Sequence, residues 1–281
     1  MNDKPMTGSA TGSTTGATTE STTGATTGSM TGARPGAPAA KPAHAIAARE
    51  RVIVALDVPD LSQLTALLDK LDGRPAFYKV GLELFVAEGE RAVEAVRKRG
   101  GRLFLDLKLH DIPETVARAV VAAARIEADF LTVHTAGGYE MLRRAAEAAA
   151  GRPKILGVTV LTSLLEEDLR ADGIELSVAE TVRARARVAA RAGIDGLVCS
   201  SHEIDAAREA SKDLFLVVPG IRPSEGDGAA HGDQKRVATA AQAIRHGADY
   251  IVVGRPVRDA PDPAAAFAKL VAEVETAAAG T

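Results

Sequence analysis

Leu103-Phe104-Leu105-Asp106-Leu107-Lys108-Leu109 carries leucine at every odd position, the period-two pattern of a strand with one uniformly apolar face. Phe104, Asp106 and Lys108 then share the other face. If the leucines pack on helices, the charged pair points into whatever the sheet encloses. The same alternation in Ile53, Ala55 and Asp57, and in Phe77, Lys79 and Gly81, turns Asp57 and Lys79 inward near the ends of their strands. Apolar runs of this kind recur eight times, at Val52–Val58, Phe77–Gly81, Leu103–Leu109, Phe130–Thr135, Ile155–Leu161, Gly196–Ser200, Leu214–Val218 and Tyr250–Gly254, with helix-compatible sequence between them. An open doubly wound sheet fits the alternation, but eight repeats favour a closed (β/α)8 TIM barrel of the α/β class. Asp57, Lys79, Asp106 and Lys108 would then converge at the carboxyl-end mouth, where such barrels keep their active sites.

Helical stripes agree with that architecture. Leu61, Leu64, Leu67, Leu68 and Leu71 form one apolar face, and Phe267, Leu270, Val271 and Val274 another near the C-terminus. The barrel domain is expected over residues 46–281. Residues 1–45 contain no Leu, Ile, Val or Phe, and Thr14–Ser21 recurs nearly unchanged as Thr22–Ser29. Such a Thr/Gly/Ser tract with its Pro/Ala linker cannot bury a core, so a disordered tail is expected. A net charge of −3 gives no general reason to bind nucleic acid or an anionic membrane. No stretch is long and apolar enough to span a bilayer. Neither a secretory nor a transit pattern is present, and the single cysteine, Cys199, in an apolar run, reads as a buried inert thiol. The expected compartment is cytoplasmic.

Asp106, Lys108 and Asp111, joined by the inward Lys79, make an alternating set of carboxylates and ammonium groups. Taken alone it fits a structural ion network, but burying charge is costly unless function retains it. Carboxylates beside Lys108 favour a charged proton donor over a Schiff-base nucleophile, which must be neutral. A second constellation follows the eighth run, where Gly254 and Arg255 suit a phosphate site of backbone N–H groups reinforced by a cation. The long Pro219–Gln234 stretch, with Arg222 and Gln234, has the length of an active-site lid. His110 and His134 receive no catalytic role; no HxH or HxxxH pair suggests a metal, and no Gly-rich loop suggests a dinucleotide or NTP.

Asp106-Leu107-Lys108-Leu109-His110-Asp111-Ile112-Pro113 closely resembles the DxKxxDI signature of orotidine 5′-monophosphate decarboxylases. Further segments agree in order: Ala55-Leu56-Asp57, Lys79-Val80-Gly81, Leu161-Thr162-Ser163, Pro219-Gly220-Ile221-Arg222, Gly232-Asp233-Gln234 and Gly254-Arg255-Pro256. The resemblance spans nearly the whole chain from about residue 50, and two features depart from it: a longer Pro223–Asp233 stretch and the tail. It implies conversion of orotidine 5′-monophosphate (OMP) to UMP and CO₂ in pyrimidine synthesis, without metal or cofactor. Lys108 would protonate C6, Asp106 would sit beside the departing carboxylate, and Lys79 and Asp57 would hold the ribose hydroxyls. Thr162 and Ser163 would meet the pyrimidine, and Pro219, Arg222, Gln234, Gly254 and Arg255 would line the substrate's phosphate end. Asp111, Ile112 and Thr115 would reach into the partner's site of a homodimer with shared active sites.

That chemistry suits these residue types, because the carbanion left at C6 lies in the ring plane, beyond the reach of π delocalisation. A fixed ammonium in a dry site would stabilise it electrostatically. Two other readings compete. Related sugar-phosphate decarboxylases and aldolases use Mg²⁺ with a glutamate where this chain has Lys79, and a lysine there opposes a divalent cation. A phospho-ligand-binding barrel that has lost catalysis need not keep Asp106, Lys108 and Asp111 together.

Overall fold

The structure, a computed structural model, describes residues 46–222 and 238–280. The tail expected over 1–45, and Gln234 with most of the expected lid, lie outside the described residues. Eight parallel strands close into a barrel in sequence order: β1 Val52–Ala55, β2 Phe77–Gly81, β3 Arg102–Leu109, β4 Phe130–His134, β5 Lys154–Val158, β6 Gly196–Val198, β7 Phe215–Val218 and β8 Tyr250–Val253. Closure runs from Val52↔Ile251 to Val54↔Val253 between β1 and β8. Each strand lies within its apolar run or overlaps it, but several stop short of the run's carboxyl end. At Leu56–Val58, Thr159–Leu161 and Cys199–Ser200 the apolar chain has left the ladder and forms the rim of the barrel mouth. Periodicity cannot register that transition, since buried rim and buried strand select the same side chains.

The alternation sorts side chains into two layers. Ile53, Ala55, Phe77, Phe104, Phe130, Leu156, Val217, Tyr250 and Val252 fill the barrel interior. Their strand neighbours Val52, Val54, Val80, Leu103, Leu105 and Leu131 pack outward against the helices. The helix Leu61–Leu71, capped by Asp60 accepting from the Gln63 N–H at 2.8 Å, buries Leu64, Leu67, Leu68 and Leu71. The helix Pro263–Ala279 buries Phe267, Leu270 and Val274, with Val271 partly covered.

The interior is not filled evenly. Phe77, Phe130, Phe215 and Tyr250 each open a strand, so four aromatic rings meet at the amino end of the barrel. Phe77 and Phe130 lie 4.7 Å apart, Phe130 and Tyr250 5.2 Å, and the Arg102 guanidinium covers Phe77 at 4.3 Å. Ile46 packs against this cluster, so the chain enters the domain beside the floor. Toward the other end the inward residues become small or charged, which leaves the mouth open.

The same floor carries a repeated device. Asp129, Asp195 and Asp249 stand immediately before β4, β6 and β8. Each donates its backbone N–H to a carbonyl of the preceding strand, at Leu103 (2.8 Å), Ile155 (3.0 Å) and Leu216 (3.0 Å). Each carboxylate then accepts that same residue's N–H, at 2.8, 2.9 and 2.6 Å. A cation balances each charge: Arg97 and Arg152 at Asp129, Lys154 at Asp195, Arg208 at Asp249. Among the described residues, no helix is long and apolar enough to cross a membrane.

Candidate active site

At the carboxyl end the strands surround a cavity of about 420 Å³. Asp57, Lys79, Asp106 and Lys108 form a continuous charge chain along its wall. The Lys79 ammonium lies 2.8 Å from Asp57 Oδ1 and 3.5 Å from Asp106 Oδ2, and the Lys108 ammonium donates to both Asp106 oxygens at 2.9 Å. Gly81 makes room for this: a Cβ there would lie 2.9 Å from Lys79 Nζ and 3.0 Å from Asp57 Oδ1. The convergence read from alternation is therefore present, with Phe104 and Ala55 beneath it.

Burial tunes the chain. Desolvation alone would drag the Lys79 pKa down, but Asp106 and Asp57 outweigh it and the net direction is up. Desolvation pushes the Asp106 carboxyl upward; Lys79, Lys108 and a hydrogen bond from Thr132 overcome it, and the net direction is down. Both groups thus stay charged around neutrality, and removing one partner would strand a buried charge at a cost of about 3–5 kcal/mol. Lys108 is the more open of the two lysines, its side chain 32% exposed against 11% for Lys79. It is the more accessible of the two ammonium groups on the cavity wall.

The backbone beneath Lys108 is unusual. Its φ is +49°, a left-handed conformation that costs a non-glycine residue about 1–2 kcal/mol. The cause lies in the ladder: Leu105 pairs with Leu131 and Leu109 with Val133, so four steps along β3 face two along β4. The bulge lifts Asp106 and Lys108 off a flat strand and re-aims both.

Across the mouth, Pro219, Gly220, Arg222, Gly254 and Arg255 line the cavity, as does Thr162. Ser163 is exposed beside Thr162 and is not part of the lining. Arg222 N–H donates to Ala238 O at 2.9 Å, and Ala238 N–H to Gly220 O at 3.3 Å, so the flanks of 223–237 are tied together at the rim. Asp111 does not join the cluster within its own chain. It lies past the end of β3, exposed, accepting from the Ile112 N–H at 2.6 Å, and neither it, Ile112 nor Thr115 lines the cavity. The alternating set of one chain is completed by Asp57 instead.

Three contributors went unread in the sequence. Thr132 bonds both Asp106 and Lys108; its signal was the Phe130, Thr132, His134 alternation on β4. Arg258 lines the mouth and donates to the Asp57 carbonyl at 2.7 Å, one helical turn beyond Arg255. Cys199 is buried, as expected, and also forms part of the cavity wall with Val158, Val160 and Val198.

His134 satisfies a backbone group, accepting from the Ala136 N–H at 3.3 Å, and stacks on His110 at 5.3 Å. Burial first, then Arg185, His110 and Lys108, lower its pKa from 6.5 to about 4. A depressed pKa contributes stability that is complete above 6.5 and is lost as pH falls through about 4. His134→Asn, which keeps an acceptor for Ala136, should therefore show a flatter stability profile between those pH values than the unaltered chain. Urea midpoints measured across the window check this; parallel profiles would refute the linkage.

The profile of the "Orotidine 5′-phosphate decarboxylase / HUMPS family" matches residues 50–270. Orotidine 5′-phosphate decarboxylase of Moorella thermoacetica is 51% identical over 238 residues, covering 81% of this chain and 93% of that protein. The Rhodopseudomonas palustris protein of that name is 48% identical over 235 residues, 83% of this chain and 97% of its own length. The crystal structure of orotidine 5′-phosphate decarboxylase from Lactobacillus acidophilus superposes with a TM-score of 0.71 at 37% identity, covering 80% of this chain and 99% of that one.

Proposed function

The chain belongs to the orotidine 5′-phosphate decarboxylase / HUMPS family and converts OMP to UMP and CO₂ in pyrimidine synthesis, and on that premise we propose that Lys108 is the acid that delivers the proton to C6. The observation that carries this reading is the Asp57–Lys79–Asp106–Lys108 chain, whose outermost ammonium faces the cavity. The bond from C6 to the carboxylate carbon breaks, CO₂ departs, and the electron pair stays on C6. Lys108 Nζ gives its proton to that pair, leaves neutral, and is reprotonated from solvent. Asp106 disfavours the bound carboxylate by like charge while keeping the ammonium in place, so its effect is larger on the ground state than on the product. Lys79 and Asp57 hold the ribose hydroxyls. Thr162, with Ser163 beside it, meets the pyrimidine. Arg222, Gln234, Gly254 and Arg255 take the phosphate, Pro219 closes the wall, and contacts so far from C6 express their binding free energy as rate.

The working unit in this proposal is a homodimer in which Asp111, Ile112 and Thr115 enter the partner's cavity. Exposure supports it: Ile112 is 67% exposed and Val86 81%, with Leu82 and Tyr139 also uncovered. These residues follow the neighbouring strands β2, β3 and β4 at the mouth end. The Lys79 ammonium between Asp57 and Asp106 supports a metal-free reaction over the Mg²⁺ reading, since a fixed positive charge there opposes a divalent cation. Spectrophotometric assay with OMP should show turnover indifferent to EDTA; loss of turnover on chelation would return the magnesium reading.

The tail is proposed to be dispensable and the compartment cytoplasmic, with neither nucleic acid nor membrane as a partner. The chain enters the domain at the aromatic floor through Ile46, at the opposite end from the cavity. Deleting residues 1–45 should leave kcat within about two-fold and shift Tm by less than a few degrees. A marked fall in either would assign the tail a structural or catalytic part.

A further inference from the structure

We propose that Thr132 is the positioning residue that sets the reactive geometry of Lys108, through one hydroxyl shared between the Lys108 backbone and the Asp106 carboxylate. The inference rests on the reading of Lys108 as the proton donor and goes beyond it by naming what aims that donor.

Thr132 is fully buried on β4, with its backbone paired to Leu156 of β5. It is the β4 residue that faces the irregular part of β3, between the Leu131 and Val133 pairings. Lys108 lies where the ladder slips, between the Leu105 and Leu109 pairings. Thr132 Oγ1 accepts from its backbone N–H at 2.8 Å, and the hydroxyl proton goes to Asp106 Oδ1 at 3.0 Å. The directions are fixed by chemistry: a backbone N–H can only donate and an ionised carboxylate can only accept. Among side-chain oxygens, only a hydroxyl can accept from one and donate to the other.

Two consequences follow for the reacting group. In its left-handed conformation the Lys108 N–H is satisfied by the Thr132 hydroxyl, so that hydroxyl helps hold the strained bulge. Asp106 is held at the same time, and Asp106 in turn fixes the Lys108 ammonium through both oxygens. Backbone and side-chain tip of the donor are thus both referred to one oxygen. Thr132 does not line the cavity, so it acts through Lys108 and Asp106 and not by touching substrate.

The test compares Thr132→Val, Thr132→Ala and Thr132→Ser, with Lys108→Ala as reference, reading kcat, KM for OMP, and the Kd of UMP. Misaiming the donor by about an ångström predicts a fall in kcat of about 100-fold for Thr132→Val, with KM and UMP affinity within about three-fold, because ribose and phosphate contacts are untouched. Thr132→Ser restores most of kcat. A purely architectural role would instead lower Tm and the fraction of UMP-binding protein while leaving kcat per UMP-binding site unchanged. That result, or a Thr132→Val enzyme with kcat within two-fold of the unaltered chain, overturns the proposal, as does failure of the serine to rescue. Thr132→Ala, which has no second methyl to press on Asp106, is the alternative should the valine not fold. If neither hydroxyl-free variant yields a folded UMP-binding protein, the residue is architectural and the proposal falls. An inactive Lys108→Ala beside an active Thr132→Val removes the positioning role alone. An active Lys108→Ala removes the donor reading and this inference with it.

Discussion

Lys108→Ala should abolish decarboxylation, lowering kcat by at least about 10⁴-fold, while the Kd of UMP stays within a few-fold. The acid is gone but Arg222, Gly254 and Arg255 still line the cavity, and in the proposed reading their phosphate contacts carry the binding of product. Asp111→Ala should be nearly as inactive for a different reason. Its carboxylate is exposed and lies outside the cavity of its own chain, so the expected loss arises in the partner's site. The two defects should therefore complement. In a mixed dimer one site carries both lesions and the other neither, and subunit exchange between the two inactive proteins should restore up to about half the wild-type activity per heterodimer. If heterodimers confirmed by mass recover nothing, Asp111 serves its own chain and the shared-site proposal fails.

Arg255→Ala should be the next most damaging change. A guanidinium that meets a phosphate dianion in a closed site contributes about 2–5 kcal/mol on truncation, which corresponds to a fall of tens- to thousands-fold in kcat/KM. If, as proposed, the phosphate contact drives organisation of the site, part of the loss should fall on kcat and not on KM alone. Added guanidinium ion should recover a fraction of the activity, as what is missing is a charge and not the fold. A kcat/KM close to that of the unaltered chain would exclude Arg255 from the phosphate site.

The legibility of this molecule in its sequence was uneven, for physical reasons. Strand identity and facing could be read because leucine alternates with Phe104, Asp106 and Lys108 without exception, and the charged pair at the mouth end distinguishes the inward face from the outward one. Asp57 and Lys79 followed from the same rule. The bulge could not be read, because alternation continues through Asp106-Leu107-Lys108-Leu109 while the pairing to β4 slips beneath it. Side-chain pattern reports the face a residue occupies, and register is a property of two strands. Thr132 was missed for that reason: its importance depends on standing opposite the slip. Arg258 was missed because its contact to the site is with a backbone carbonyl, that of Asp57, and every residue offers one, while its carboxylate partner is the adjacent Asp259. The end of β3 at Leu109 matched the end of its apolar run, but the side-chain direction of Asp111 beyond it did not follow, because alternation fixes facing only within a strand.

The paired bonds at Asp129, Asp195 and Asp249 bear on which parts of the chain can change length. Each fixes how one strand lies against the next from the amino end, with no help from the segments that cross the mouth. β7 and β8 are joined in this way at Leu216 and Asp249, and the sequence between Arg222 and Ala238 leaves from and returns to one point on the rim. Adding residues there lengthens a loop whose ends are already pinned, and the entropic penalty of such an insertion grows only with the logarithm of its length. A chain with a longer Pro223–Asp233 segment can therefore keep its pairing offsets, and with them every inward-facing group. The crossings over the mouth can in this sense change in length without disturbing the foot of the barrel.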